Sequence, residues 1–446
     1  MPKQLFGHPP GLYVLFLTEM WERFSYYGMR TLLVLYMIQY LIPAVNDGAD
    51  IFGFASLRAG LEWLYGGLDI QPLASQIYGL YTGLVYLTPL LGGYLADRWL
   101  GPRNTVALGA VLMTAGHFLM AREAWFLPAL ALLIAGNGCF KPNISTQVGS
   151  LYPPGDPRRD GAFTIFYLGI NIGGFFAPLV CGTLGQRYGW HYGFAAAGVG
   201  MTIGLSIYLA GQRFLGGDAA WRGTRTPIPE TPISGEEWRA ILSLAVLATI
   251  NVVFWAVYEQ QGNTLQLFAE QRADWRVLGW DMPSTWFQSL NPAFIFLLTP
   301  LMGGMLGKPS KPRSSVVKMA WGCAWLAASF LVLIVAVSLH GPDQKISGLW
   351  LALCTLIYTV GELYLSPVGL SLVSKVAPAK AVGSVMGLWF LSVFLGNYLA
   401  GYIGSFYSTM SHAGFFLLLA GLACGAGLAI FGLRTFLESR LAGKDC

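Results

Sequence analysis

Charge is what this chain has least of. Only 11% of its 446 residues are Asp, Glu, Lys or Arg, against about 25% in ordinary soluble domains. A surface facing water cannot be covered at that density, which excludes a soluble globular protein. Cysteine is sparse as well. Cys139, Cys181, Cys323, Cys354 and Cys424 lie in apolar runs and Cys446 at the end, with no C-x-x-C pair and no Cys/His cluster. Neither a disulfide framework nor a metal site follows from that scatter. Of the five histidines only His117 sits well inside an apolar run, where it reads as packing or a satisfied polar contact. No short apolar stretch near the start ends in a small-residue cleavage site, so the first apolar segment is expected to direct membrane insertion itself.

Apolar residues are what the chain has in abundance: 55% of the total, with a mean hydropathy of +0.55. A bilayer-spanning helix needs about 20 such residues in a row. Suitable runs fall near 11–41, 73–97, 102–121, 126–151, 162–186 and 192–215. A second set falls near 239–268, 286–307, 315–339, 347–376, 382–408 and 412–438. The prediction is an all-α polytopic membrane protein with twelve transmembrane helices. With residues at span ends counted in the adjoining loops, 18 of the 27 Lys and Arg fall in the termini and even-numbered loops, six in odd-numbered loops and three well within spans. That asymmetry places both termini in the cytoplasm. It also accounts for the net charge of +5 without nucleic acid.

Between the two sets lies "GGDAAWRGTRTPIPETPISGEEWR", polar and rich in Pro, Gly and Thr. It reads as a linker over 217–238, dividing an N-terminal six-helix bundle (1–216) from a C-terminal one (239–446). A capping box from Ser234 to Glu237 is expected to start the seventh span. The other long connection, Pro43 to Pro72, contains "SLRAGLEWLYGGL", which suits a short interfacial helix. The halves echo each other. "TPLLGGYLADRWLGPRN" and "TPLMGGMLGKPSKPRSS" are offset by 211 residues, and the fourth and tenth spans each place two prolines eleven residues apart. Such duplication is the organisation of major-facilitator transporters, two pseudo-symmetric bundles with substrate bound between them. Prolines within spans loosen the helix ladder and are expected to let the fourth, fifth, tenth and eleventh spans bend.

The few charges inside spans carry the functional argument. Glu19, Glu22, Glu259 and Glu362 are the acidic ones; Arg23, Arg30 and Lys141 the basic ones. Each unpaired ion at a bilayer centre costs several kcal/mol, so near-balance of sign points to mutual pairing. They fall on the first, fourth, seventh and tenth spans, which hold equivalent places in successive three-helix units and line one cavity in such folds. In "TEMWERFSYYGMR", Glu19, Glu22 or Arg23, Tyr26 or Tyr27, and Arg30 follow i, i+3/i+4 spacing and form one stripe. Met20, Phe24 and Leu32 lie elsewhere on the wheel and read as packing. Protonating a carboxylate in such a cluster frees a cation to bind something else, which couples protons to an anionic group.

The motif E-x-x-E-R-F-x-Y-Y-G from Glu19 to Gly28 resembles the signature of the proton-dependent oligopeptide transporters, the POT or PTR family. So do "GNGCFKPNISTQVGSLY" with Lys141, "FYLGINIGGFFAP" with Asn171, "FWAVYEQQG" with Glu259, "TWFQSLNP" from Thr285 to Pro292, "GELYLSPVGLS" with Glu362 and "GLWFLS" with Trp389. The likeness covers nearly the whole chain. It implies proton coupling by Glu19, Glu22, Arg23 and Lys141. It implies that Arg23, Lys141 and Tyr27 take a peptide's carboxylate, and that Glu362, Asn171 and Asn291 take its amino group. Tyr26, Tyr78, Trp286, Ser366, Trp389 and Phe390 match further peptide-contacting positions, and Arg30 with Glu259 a gating pair.

The expected activity is proton-coupled import of di- and tripeptides across a bacterial-type inner membrane. The chain would act as a monomer among lipids, with no metal, no cofactor and the proton gradient as its drive. Rival readings are a symporter of another small anion such as nitrate, a non-transporting peptide sensor, and a membrane enzyme. A carboxylate at Glu362 would repel a simple anion. A sensor would be expected to carry a signalling domain, and none is visible in this sequence; no nucleophile–base or metal motif stands out. Two departures from the family pattern occur. The linker is too short for the two extra helices of many bacterial members. Tyr78 is followed by Gly79, where mammalian members place a histidine, so coupling would rest on carboxylates.

Overall fold

The computed structural model describes residues 4–153, 155–216, 233–277, 279–305, 314–341, 344–378 and 381–441. Most of the expected linker, 217–232, and Cys446 lie outside the described residues. Each of the twelve expected spans coincides with a helical stretch. Nine helical stretches among the described residues are long and apolar enough to cross a membrane by themselves. The architecture is an all-α polytopic membrane protein of the major-facilitator type.

The first unit contains α1 (Pro10–Tyr36), the surface helix α2 (Phe54–Tyr65), the last turn of α3 (Ile70–Leu87), α4 (Gly101–Leu119), α5 (Phe126–Ser150), α6 (Arg158–Ala177) and α7 (Trp190–Gly211). The second contains α8 (Gly235–Tyr258), α9 (Thr264–Arg272), α10 (Leu290–Met305), α11 (Ser315–His340), α12 (Gly348–Val376), α13 (Val382–Gly404), α14 (His412–Gly432) and α15 (Arg434–Leu441). The helix α3 is shared: Gln71–Gly83 pack with the second unit, and the chain from Leu84 packs with the first.

Several local expectations are met by identifiable bonds. Ser234 caps α8: its hydroxyl accepts from Glu237 N at 3.2 Å while its own N–H donates to Glu237 Oε2 at 2.7 Å. The segment expected to be interfacial is helical, as α2, with Trp63 84% exposed. Pro142 and Pro367 sit inside α5 and α12, which continue through them. Pro178 instead opens a π-helical turn, Pro178–Gly182, beyond α6. In the eleventh span α13 has no proline between Val382 and Gly404 and runs unbroken.

The seventh span was expected to be continuous and is not. After α8 the chain tightens into a 3-10 turn, Glu259–Gly262, before α9. Side-chain bonds brace the turn: Gln260 Nε2 donates to Ala400 O at 2.9 Å, Thr264 Oγ1 to Gln260 Oε1 at 2.8 Å, and Ser75 Oγ to Asn263 Oδ1 at 2.9 Å. Two-residue strands follow, Ala273–Asp274 pairing in parallel with Ile346–Ser347, and Arg276–Val277 antiparallel with Trp280–Asp281. Arg272, placed by sequence in a loop, is buried at the end of α9 and donates to Gly341 O and Gln344 O, both at 2.8 Å.

Candidate functional site

Glycines set how closely α1 is held. A Cβ on Gly173 of α6 would lie 2.2 Å from Met20 O and 3.0 Å from Arg23 Cβ, so only glycine admits that approach. Phe24 packs onto Gly200 and Leu32 onto Gly185 and Gly193, the packing roles expected for them. With that face of α1 fixed, the charged stripe is directed elsewhere.

Arg23 is the centre of the stripe. Its Nε lies 2.9 Å from Glu19 Oε1 and 2.7 Å from Glu22 Oε2, with all three side chains at most 5% exposed. One N–H cannot align with two acceptors: it donates to Glu19, and Glu22 is held as a close ion pair. Glu22 Oε1 accepts from Asn137 Nδ2 at 3.1 Å. The Arg23 guanidinium stands 5.5 Å from the Tyr26 ring centroid, and Tyr26 meets Tyr27 edge-on at 5.3 Å. From α5, Lys141 places its Nζ 4.2 Å over the Tyr86 ring centroid, where its charge also acts on Glu22. Here the arrangement can trade partners. A proton taken up by either carboxylate removes half of the negative charge facing one guanidinium.

The second unit builds a separate polar centre. Asn291 Nδ2, at the start of α10, donates to Glu362 Oε2 at 2.9 Å and to Thr359 Oγ1 at 3.0 Å. The Tyr258 hydroxyl reaches Glu362 as well. Glu362 and Lys141 are half-buried, unlike Glu19, Glu22, Arg23, Arg30 and Glu259, which are buried. Seven buried charges were expected. The two that keep partial access, Lys141 and Glu362, are assigned by the sequence to opposite ends of a peptide, while Arg23, also assigned to the carboxylate end, is buried.

The remaining candidates are distributed as follows. Asn171 is buried on α6 and donates to Tyr167 O of its own helix at 3.0 Å. Tyr78 is fully buried. Its neighbour Gly79 has no room for a histidine, since even a Cβ would lie 2.6 Å from Gly401 Cα. Trp286 meets Trp280 edge-on at 5.1 Å. Trp389 is buried with its ring against Gly369 of α12, a helix-packing contact. Ser366 and Phe390 are half-buried. His117 is buried with neither ring nitrogen hydrogen-bonded, which leaves packing as its role.

Sequence reasoning passed over Asn137, Tyr86, Thr359 and Tyr258. Asn137 had a signal: it precedes Lys141 by one helical turn. Thr359 likewise precedes Glu362 by three residues. A hydrogen bond to a charged group is worth roughly 1.5–3 kcal/mol. Asn137→Leu is therefore expected to lower gradient-driven uptake by about tenfold or more. Uptake at the wild-type level would show the Asn137–Glu22 bond to be incidental.

The helices and the two charged centres define a class, a polytopic secondary transporter of the major-facilitator type. Comparison with known proteins narrows it: the POT family profile matches residues 103–217 and 227–418. The chain belongs to the POT family, a family of transporters and not of enzymes. It is 35% identical to the peptide transporter YePEPT of Yersinia enterocolitica, over 90% of this chain and 88% of that protein. It is 32% identical to a di-/tripeptide transporter of Lactococcus lactis subsp. cremoris, over 96% of each. Among solved structures, a mutant of the peptide transporter POT in complex with alafosfalin aligns over 99% of this chain and 98% of that one. The TM-score is 0.85, at 34% identity.

Proposed function

We propose that this protein imports di- and tripeptides by proton-coupled alternating access, without a cofactor. The observation that carries the reading is Arg23 Nε held between the carboxylates of Glu19 and Glu22. With both carboxylates ionised, the guanidinium is fully engaged. A proton on Glu22 leaves Arg23 bound by Glu19 alone. Arg23 then has attraction to offer a peptide carboxylate, together with Lys141 and Tyr27. Asn171 and Asn291 help Glu362 take the amino group. Asn291, which also donates to Thr359, orients Glu362 as an acceptor for a cation, which disfavours nitrate and other simple anions.

Tyr26, Tyr78, Trp286, Ser366, Trp389 and Phe390 would accommodate varied side chains, and Arg30 with Glu259 would close one side. The functional halves are 1–216 and 239–446, joined by 217–238. The protein acts as a monomer in a bacterial-type inner membrane, both termini cytoplasmic. Uptake of labelled di-alanine into proteoliposomes under an inward proton gradient tests the reading. Accumulation that collapses with a protonophore is the expected result. Absence of gradient-driven uptake across a panel of di- and tripeptides would overturn it.

A further inference from the structure

A groove of about 200 Å³ opens on the outer face of the second unit, between α11 and α14. Ala320, Trp321 and Ala324 form one wall; Cys424, Gly427, Leu428 and Phe431 form the other. Trp321, Leu428 and Phe431 are 48%, 66% and 57% exposed, so the groove faces outward from helices that span the membrane. An apolar furrow at such a surface is filled by hydrocarbon, not by water.

One end of the groove is basic. The helix α15 begins two residues after α14 stops, burying Leu437 and Leu441 and exposing Phe436, the pattern of a helix lying along the bilayer interface. Arg434 Nε donates to both oxygens of Glu438, at 3.0 and 3.1 Å, and Ser314 at the start of α11 donates to Glu438 too. This chain of bonds brings Arg434 to the first turn of α11, where Lys318 lies three residues before Trp321. Arg440 packs over Phe436, 3.9 Å from its ring centroid. The ends of α11 and α14 and the helix α15 thus carry three cations, Lys318, Arg434 and Arg440, of which only Arg434 is bonded to Glu438, and Lys318 makes no ion pair among the described residues. An apolar furrow ending in a surplus of positive charge has the chemistry of a lipid site: chain in the furrow, phosphate at the rim.

We propose that the α11–α14–α15 face binds one anionic glycerophospholipid, an acyl chain lying in the groove and the headgroup phosphate between Lys318 and Arg434. The site is independent of peptide transport, and so is its test. Purified protein in mild detergent is titrated with phosphatidylglycerol, or with phosphatidylcholine of the same chains, and bound lipid is read by native mass spectrometry. One phosphatidylglycerol is expected to bind several-fold more tightly than phosphatidylcholine. Lys318→Gln lowers that affinity by about fivefold and leaves phosphatidylcholine unchanged, at a half-buried position where folding is not at issue. Ala324→Trp fills the furrow and weakens both lipids. Equal binding of the two lipids to the wild type overturns the proposal. So does retention of the preference in Lys318→Gln, or indifference of both lipids to Ala324→Trp in protein that remains monodisperse.

Discussion

Glu22→Gln is expected to abolish accumulation of peptide driven by a proton gradient while leaving peptide-for-peptide exchange intact. Glu22 is fully buried, ion-paired with Arg23 at 2.7 Å and hydrogen-bonded by Asn137. Glutamine keeps the shape and one carbonyl acceptor but is neutral at every pH. The cluster is thereby locked in the charge state that protonation reaches. A carrier in that state binds peptide and reorients, yet has no proton to release, so the gradient does no work on it. Because Arg23 still faces Glu19 at 2.9 Å, the guanidinium is not left alone. The expected cost to folding therefore falls below the roughly 3–5 kcal/mol of breaking a buried pair outright. Uptake under an imposed gradient and counterflow without one are measured in the same liposomes. Loss of counterflow as well as accumulation would make Glu22 a structural residue and move the coupling elsewhere.

The second large effect is expected at Glu362. Glu362→Ala removes the carboxylate that Asn291 holds at 2.9 Å, and with it the anionic pole offered to a peptide's amino group. A charge-assisted bond of about 1.5–3 kcal/mol corresponds to a loss of roughly ten- to a hundredfold in apparent affinity. Peptides with a free amino group should lose that much, while des-amino analogues of the same length should lose little. Competition against a labelled dipeptide, run with paired analogues, separates the two. Equal weakening of both would mean that Glu362 shapes the site without meeting the amino group.

These two residues also show what could be read from sequence. That Glu19, Glu22 and Arg23 share one helix face follows from i, i+3/i+4 spacing, and the bonds among them bear that out. The partners from other helices follow no such rule. Asn137 is far from Glu22 along the chain, and only the packing of α5 near α1 turns an ordinary helix asparagine into the donor for a buried carboxylate. The break at Glu259–Gly262 escaped hydropathy for a similar reason. Its sequence is apolar enough on both sides to read as one span, and the side-chain bonds from Gln260 and Thr264 that brace the turn leave no mark on average polarity.

Local rules therefore determined the class of protein, the positions of its helices, the capping box at Ser234 and the charged stripe. Each of these depends on residues a few positions apart, or on average polarity over a membrane's thickness. Tertiary structure decided which charges are fully enclosed, which keep access, and what surrounds them. Lys141 comes to lie over Tyr86, and Glu362 is bound by Asn291 from another helix. Those outcomes depend on how closely helices approach, and that distance is set by contacts such as Gly173 against Met20 and Gly79 against Gly401. The bilayer makes an unpaired charge costly enough that sequence alone announces a partner must exist; only packing decides which residue it is.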